Sequence, residues 1–108
     1  MSAQRLVPEE LLRSVVVYFN PRRVILFGSA ARGEAGPDSD IDLLVILDDD
    51  TPPERRTLRA ADEARQSYTL CPADVIPCRE ATFEAKRRIA GALPYEAARE
   101  GIIVYERG

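Results

Sequence analysis

The chain has 108 residues, with 15 basic and 18 acidic side chains and a net charge of −3, and it contains no histidine. This length predicts one domain, residues 1–108, with one hydrophobic core. The acidic balance argues against nucleic-acid binding, and the lack of histidine excludes Ser-His-Asp triads and histidine metal sites.

The two cysteines and the hydropathy pattern indicate where the protein works. Cys71 and Cys78 are too few for a zinc site or a disulfide scaffold and fit free thiols in a reducing compartment. No apolar run approaches the roughly 20 residues that span a bilayer, and the first residues lack a signal-peptide pattern. We therefore expect a cytoplasmic protein without membrane association.

The first predicted element is a helix over Pro8–Phe19. Pro8 suits the first helical position, acidic residues follow it, and an apolar stripe recurs at helical spacing. The stripe consists of Leu11, Leu12, Val15, Val16 and Phe19. The run Val15–Phe19 also has strand propensity, so a strand is the alternative here. Asn20-Pro21 ends the element.

Two buried strands follow. Val24–Phe27 is wholly apolar and stops at Gly28-Ser29, and Asp40–Leu47 is apolar after its acidic start. The stretch between them, residues 30–39, is glycine-rich and charged, and residues 48–50 form an acidic loop.

The second half predicts two helices and two short strands. A capping box at Thr51–Glu54 should open a helix that runs to about Tyr68, and a strand Ala73–Pro77 follows. The next elements are a helix Glu80–Ala92, which should bury Phe83, Ile89 and Leu93, and a strand Ile102–Tyr105 after Gly101. Alternating elements of this size predict an α/β or α+β domain with helices packed on a small mixed sheet.

The acidic start of the second strand carries the first candidate site residues. Asp40 and Asp42 are two positions apart, so in a strand they project to one side with Cα atoms about 6.6 Å apart. Their repulsion is about 3 kcal/mol at about 5 Å and an effective dielectric near 20. Oxygen ligands of this kind select a hard cation, Mg²⁺ or Mn²⁺.

A phosphate site is predicted where the first strand ends. Gly28 allows a sharp turn and a close approach of the backbone to a ligand, and Ser29 offers a hydroxyl and an N–H group to a phosphate oxygen. If Ala30–Arg32 begins a helical turn, its free N–H groups strengthen the anion site. The guanidinium group of Arg32 could also donate charge-assisted hydrogen bonds to the same phosphates. We also place Ser39 in the nucleotide site, and the alternative is that Ser39 shapes the turn without touching substrate.

Asp74 is the candidate third carboxylate. It opens the predicted strand at Ala73, and it would lie beside Asp40 and Asp42 if the two strands are neighbours. Three carboxylates suit a site with two metal ions about 3.5–4 Å apart. In a chain without histidine, Asp74 is also the natural base for an incoming hydroxyl. The alternative is that Asp74, after Pro72, only forms a turn.

These segments resemble a known family. Residues 25–33 (ILFGSAARG) and 39–43 (SDIDL) look like the signature of the DNA polymerase β nucleotidyltransferase superfamily, in particular its minimal nucleotidyltransferase branch. Residues 73–76 and 100–106 also look like that branch, so the resemblance covers nearly the whole chain. It implies a polymerase-β-like fold with Gly28 and Ser29 on the triphosphate, Asp40 and Asp42 on metal, and Asp74 as metal ligand and base. Members often pair with HEPN-domain toxins as antitoxins, and some transfer AMP to a tyrosine of the toxin.

The leading hypothesis is a Mg²⁺-dependent enzyme that transfers AMP from ATP to a hydroxyl of a protein partner. The chain leaves no segment for an acceptor domain, so the acceptor should bring its own surface, and the resemblance implies a HEPN toxin. One alternative is a non-catalytic antitoxin that masks its toxin, and another is the catalytic subunit of a small-molecule nucleotidyltransferase. The sequence does not specify the nucleobase or the acceptor residue, and it is compatible with homo- or hetero-oligomers.

Overall fold

The computed structural model describes residues 7–33, 41–64 and 73–107. Its helices are α1 (Glu9–Phe19), α2 (Leu58–Ala64), α3 (Glu80–Lys86) and α4 (Leu93–Glu100). Its strands are β1 (Arg23–Phe27), β2 (Ile41–Leu47), β3 (Ala73–Arg79) and β4 (Ile102–Glu106). Within these ranges, no helix combines the length and apolar character that crossing a membrane requires.

The four strands form one mixed sheet in the order β3-β2-β1-β4. β1 is antiparallel to both β2 and β4, whereas β2 and β3 are parallel. The predicted α+β class with a small mixed sheet is therefore confirmed. Because of these directions, the end of β1 and the beginnings of the other three strands meet at one end of the sheet, which we call the Gly28 end.

Helices pack on both faces of the sheet. On one face, Leu43 and Val45 of β2 join a buried cluster with residues of α1 and α2. On the other face, Leu44 and Ile46 cluster with Phe83 of α3 and with Ala97, a residue of α4. Since both faces of the central strands are buried, β1 and β2 need the continuous apolar sequences that predicted them.

The predicted helix at Pro8–Phe19 is confirmed as α1, and the strand alternative for its second half is wrong. Val15 and Phe19 are buried whereas Val17 is 76% exposed, as a helical rather than an alternating pattern requires. Asn20 ends the helix in a left-handed conformation with φ 47°, and its N–H group donates to the Val16 carbonyl.

The capping-box prediction is wrong in position. Residues 53–55 form only a 3-10 turn, and α2 begins at Leu58, where Thr57 Oγ1 accepts a hydrogen bond of 3.0 Å from the Ala60 N–H group. Pro52 is extended, with ψ 144°, because the proline after it disfavours helical geometry at that position. The predicted helix end near Tyr68 lies outside the described residues.

The single helix predicted over Glu80–Ala92 is also wrong, because the structure divides this region into α3 and α4. Gly91 has a positive φ of 93°, and Pro94 lies in the first turn of α4, so the chain turns between the two helices. Phe83 is buried as predicted, but Ile89 and Leu93 are 54% and 42% exposed.

Arginine–carboxylate pairs close the sheet at the end opposite Gly28. Arg107 and Arg22 both bind Asp48 Oδ1, with N–O distances of 2.8 and 3.2 Å, and thereby tie the residues after β4 and before β1 to the end of β2. The hydrogen bond from Arg107, followed by that from Arg22, lowers the pKa of the Asp48 carboxyl.

We predict that Asp48→Asn makes the protein less stable at neutral pH but not in acid. A lowered folded-state pKa contributes stability above the unfolded value of about 4, and this contribution is lost as the pH falls through the folded pKa. Because the pair is partly exposed, the free energy of unfolding should drop by at most about 1 kcal/mol at neutral pH. Urea unfolding at neutral pH and near pH 2 measures the change. Asp50→Asn, on the exposed loop, is the control, and an equal loss at both pH values would contradict the assignment.

Candidate active site

The carboxylate of Asp42 packs against the backbone of Gly28. Phe27, the last residue of β1, is the register partner of Asp42 on β2, and this pairing brings Gly28 next to the carboxylate. A Cβ atom on Gly28 would lie 2.5 Å from Asp42 Oδ2, and Gly28 also has a positive φ of 77°. Two independent constraints therefore require glycine here.

The turn after Gly28 is helical, as predicted. The N–H groups of Ala31 and Arg32 both donate to the Gly28 carbonyl, with N–O distances of 3.1 and 3.2 Å. These two N–H groups are thus used within the turn, and the expectation that they bind an anion is wrong. The predicted phosphate-binding groups are therefore those of Ser29 and the N–H group of Ala30. Ser29 is half-buried and directly follows Gly28.

Asp42 and Asp74 lie side by side on neighbouring parallel strands. They are direct register partners between β2 and β3. Adjacent strands are about 4.8 Å apart, and aligned residues of a parallel pair project to the same face. Asp42 is half-buried and Asp74 is exposed to solvent. The strand adjacency on which the Asp74 prediction depended is therefore present, and a solvent-facing carboxylate at this position is accessible to a substrate.

Of the three carboxylates predicted to bind metal, the structure describes two, Asp42 and Asp74. Asp40 and Ser39 lie outside the described residues, and their roles stay predictions. In residues 7–33, 41–64 and 73–107, no three acidic or cysteine side chains converge in a metal-binding arrangement. Asp42 and Asp74 supply two carboxylates, and their oxygen-only chemistry fits Mg²⁺ or Mn²⁺.

Arg32 is directed towards helix α4. Its Nη1 atom lies 3.3 Å from Glu100 Oε2 and 3.6 Å from Glu96 Oε1. A phosphate bound at Ser29 would compete with these carboxylates for the guanidinium group, so the predicted phosphate role of Arg32 stays a prediction. Glu96 and Glu100 were not predicted from the sequence, where their signal is an acidic pair at i, i+4 spacing on the helix before β4.

A glycine-serine turn and a pair of neighbouring carboxylates lie together at one end of the mixed sheet. The nucleotidyltransferase domain family matches residues 8–96, and this segment contains the Gly28-Ser29 turn, Asp42 and Asp74. The chain therefore belongs to the nucleotidyltransferase domain family, and the resemblance found in the sequence is confirmed.

Solved structures share this fold. One is a protein from Sulfolobus solfataricus that is provisionally assigned as a nucleotidyltransferase, with a TM-score of 0.60 and 21% identity, covering 95% of this chain and 79% of that one. Another is a toxin–antitoxin structure with AMP-PNP, with a TM-score of 0.56 and 18% identity, covering 94% of this chain and 75% of that one. No curated protein matches the sequence significantly. The predicted nucleotidyltransferase fold is thus confirmed.

Substitution of Gly28 tests the contact between the turn and Asp42. We predict that Gly28→Ala destabilises the protein by about 1–3 kcal/mol, because alanine is strained at positive φ and its methyl group displaces the carboxylate. Gly33→Ala is the matched control, since Gly33 has a φ of 75° but no atom within 4 Å of an added Cβ. Urea unfolding of both variants measures the difference. Equal losses of stability would mean that backbone strain alone requires glycine at position 28.

Proposed function

We propose that this nucleotidyltransferase transfers AMP from ATP to a hydroxyl group of a protein partner and requires Mg²⁺. The observation that carries the proposal is the register pair Asp42–Asp74 next to the Gly28-Ser29 turn. Membership of the nucleotidyltransferase family supports transfer of a nucleoside monophosphate as the chemistry of this site.

Each site residue has a distinct role in the proposed reaction. Ser29 binds the phosphates through its hydroxyl and N–H groups, and Gly28 lets the triphosphate approach the backbone. Asp42 and Asp74, with Asp40, would hold Mg²⁺. When bound, the metal neutralises the charge on the phosphates and on the departing pyrophosphate.

Asp74 also receives the proton of the attacking hydroxyl. It is exposed at the start of β3, and no histidine exists anywhere in the chain to act instead. The hydroxyl oxygen forms a bond to the α-phosphorus of ATP while the bond from that phosphorus to pyrophosphate breaks. The acceptor leaves as its adenylate, and the proton passes to the Asp74 carboxylate.

We further propose that the acceptor is a HEPN-domain toxin and that the protein is its antitoxin. The family resemblance of residues 25–33 and 39–43 favours this pairing. The fold shared with a toxin–antitoxin structure that contains AMP-PNP, an ATP analogue, supports a toxin as the partner and ATP as the nucleotide.

Nucleotide binding should depend on Asp42. Mg²⁺ and ATP together should stabilise the wild-type protein by about 2.7 kcal/mol when the ligand is a hundredfold above its dissociation constant. Asp42→Asn removes one metal ligand, so it should lose most of this stabilisation, and its melting temperature without ligand shows whether the fold is kept. Thermal melting with and without Mg²⁺–ATP measures both quantities, and Asp50→Asn is the control. A full ligand-induced shift in Asp42→Asn would contradict the site assignment.

Protection of cells that express the toxin distinguishes an antitoxin that acts by AMP transfer from one that acts only by binding. If AMP transfer neutralises the toxin, Asp42→Asn should fail to protect cells that express the toxin, and transfer should fall by about a hundredfold or more. Growth with equal amounts of wild-type protein and variant measures protection, and labelled ATP measures transfer. Full protection by the inactive variant would instead favour an antitoxin that only binds.

A further inference from the structure

An apolar groove lies next to the paired carboxylates on the α3/α4 face of the sheet. Its floor contains Leu44 and Ile76, which follow Asp42 and Asp74 by two positions and therefore share their face. The groove has a volume of about 290 Å³, close to the lower end of the range for small-ligand sites. Along each strand, the Cα atoms of Leu44 and Ile76 lie about 6.6 Å beyond those of Asp42 and Asp74, so the groove and the candidate active site share one face of the sheet.

The walls of this groove combine apolar surface with one cation. Cys78 continues the β3 side, Thr82 and Lys86 of α3 form a second side, and Leu93 and Pro94 form a third. Burial raises the pKa of the Cys78 thiol, so the sulfur is neutral at physiological pH. Lys86 is the single lysine of the chain, and none of the described carboxylates forms an ion pair with it.

The order of the strands determines the side from which an acceptor arrives, given the proposed function. Ser29 follows β1, Asp42 lies on β2 and Asp74 lies on β3, and these strands are neighbours in that order. In phosphoryl transfer the attacking and leaving oxygens lie roughly in line through phosphorus. With pyrophosphate held at Ser29, on the β1 side, the attacking hydroxyl comes from the β3 side, where the groove lies.

We propose that the groove is the acceptor subsite and binds a peptide segment of the partner protein. The segment places a hydroxyl side chain over Asp74 and an adjacent apolar side chain against Ile76 and Leu93. A nearby carboxylate of the segment pairs with Lys86, the cation at the rim. The hydroxyl oxygen bonds to the α-phosphorus, its proton passes to Asp74, and pyrophosphate departs on the Ser29 side. This inference rests on the proposed function and adds the chemistry of the acceptor.

A charge exchange at Lys86 tests the subsite. The probes are two capped peptides that each contain a residue with a hydroxyl side chain next to a leucine. They differ at one further position, which is aspartate in one peptide and lysine in the other. Serine, threonine and tyrosine versions are made of each. Wild-type protein should favour the aspartate peptide in kcat/KM by about fivefold, and Lys86→Glu should reverse the preference. Arg88→Glu makes the same charge change at an exposed residue outside the groove lining and should keep the wild-type preference.

The outcomes distinguish failure of the subsite from failure of the proposed function. An unchanged preference in Lys86→Glu, or no transfer to any peptide while Mg²⁺–ATP still stabilises the protein, would overturn the subsite alone. If Mg²⁺–ATP does not stabilise the wild-type protein, the proposed function itself fails.

Alkylation of Cys78 gives a second, independent measurement. With Cys71→Ser as background, iodoacetamide labels Cys78 at alkaline pH, where the thiol ionises. Because an acceptor groove stays open when only nucleotide is bound, saturating Mg²⁺–AMP-PNP should change the labelling rate by less than about twofold. Strong protection by the nucleotide would mean that the nucleotide itself occupies the groove, and would overturn its assignment to the acceptor.

Discussion

The contact between the Asp42 carboxylate and the Gly28 backbone is the constraint on which the rest of the site depends. It exists because β1 and β2 are antiparallel and Phe27 pairs with Asp42. Any side chain at position 28 would push the carboxylate away. The parallel pairing of β2 with β3 then adds Asp74 on the other side of Asp42. One antiparallel and one parallel strand pairing thus bring together Gly28, Asp42 and Asp74, which are far apart in the chain.

The two ends of the sheet have opposite electrostatic character. At the Gly28 end, neighbouring carboxylates repel one another, and a bound cation would relieve this repulsion. At the other end, Asp48 is surrounded by Arg22 and Arg107, so its charge contributes to stability. Between them, both faces of β2 are buried against helices, and this packing holds the acidic end in place.

Local sequence patterns predicted the strands and α1 but not the helices of the second half. All four strands were placed correctly apart from their ends. For β1 and β4, an apolar run bounded by Gly28 or Gly101 leaves few alternatives. The errors at residues 51–57 and 87–92 both involve proline or glycine, whose local restrictions overrode a capping box and a helical stripe. For the site, alternation within a strand predicts which residues share a face. Which strands are neighbours, and that Glu96 and Glu100 meet Arg32, depends on tertiary packing and is not encoded in any short segment.

The break between α3 and α4 connects one of these errors to the proposed function. A single helix over residues 80–92 would have been long enough to continue past Lys86 along the sheet. Instead the chain turns at Gly91, so that α4 packs through Ala97 on β1, while Leu93 and Pro94 form one side of the groove beside β3. The exposed part of Leu93, unexpected for a core residue, is accounted for if it contacts an acceptor. In the proposed reaction, the end of β1 binds the phosphates, β2 contributes to the metal site and β3 receives the incoming hydroxyl, so the order of the strands across the sheet corresponds to the proposed direction of the transfer.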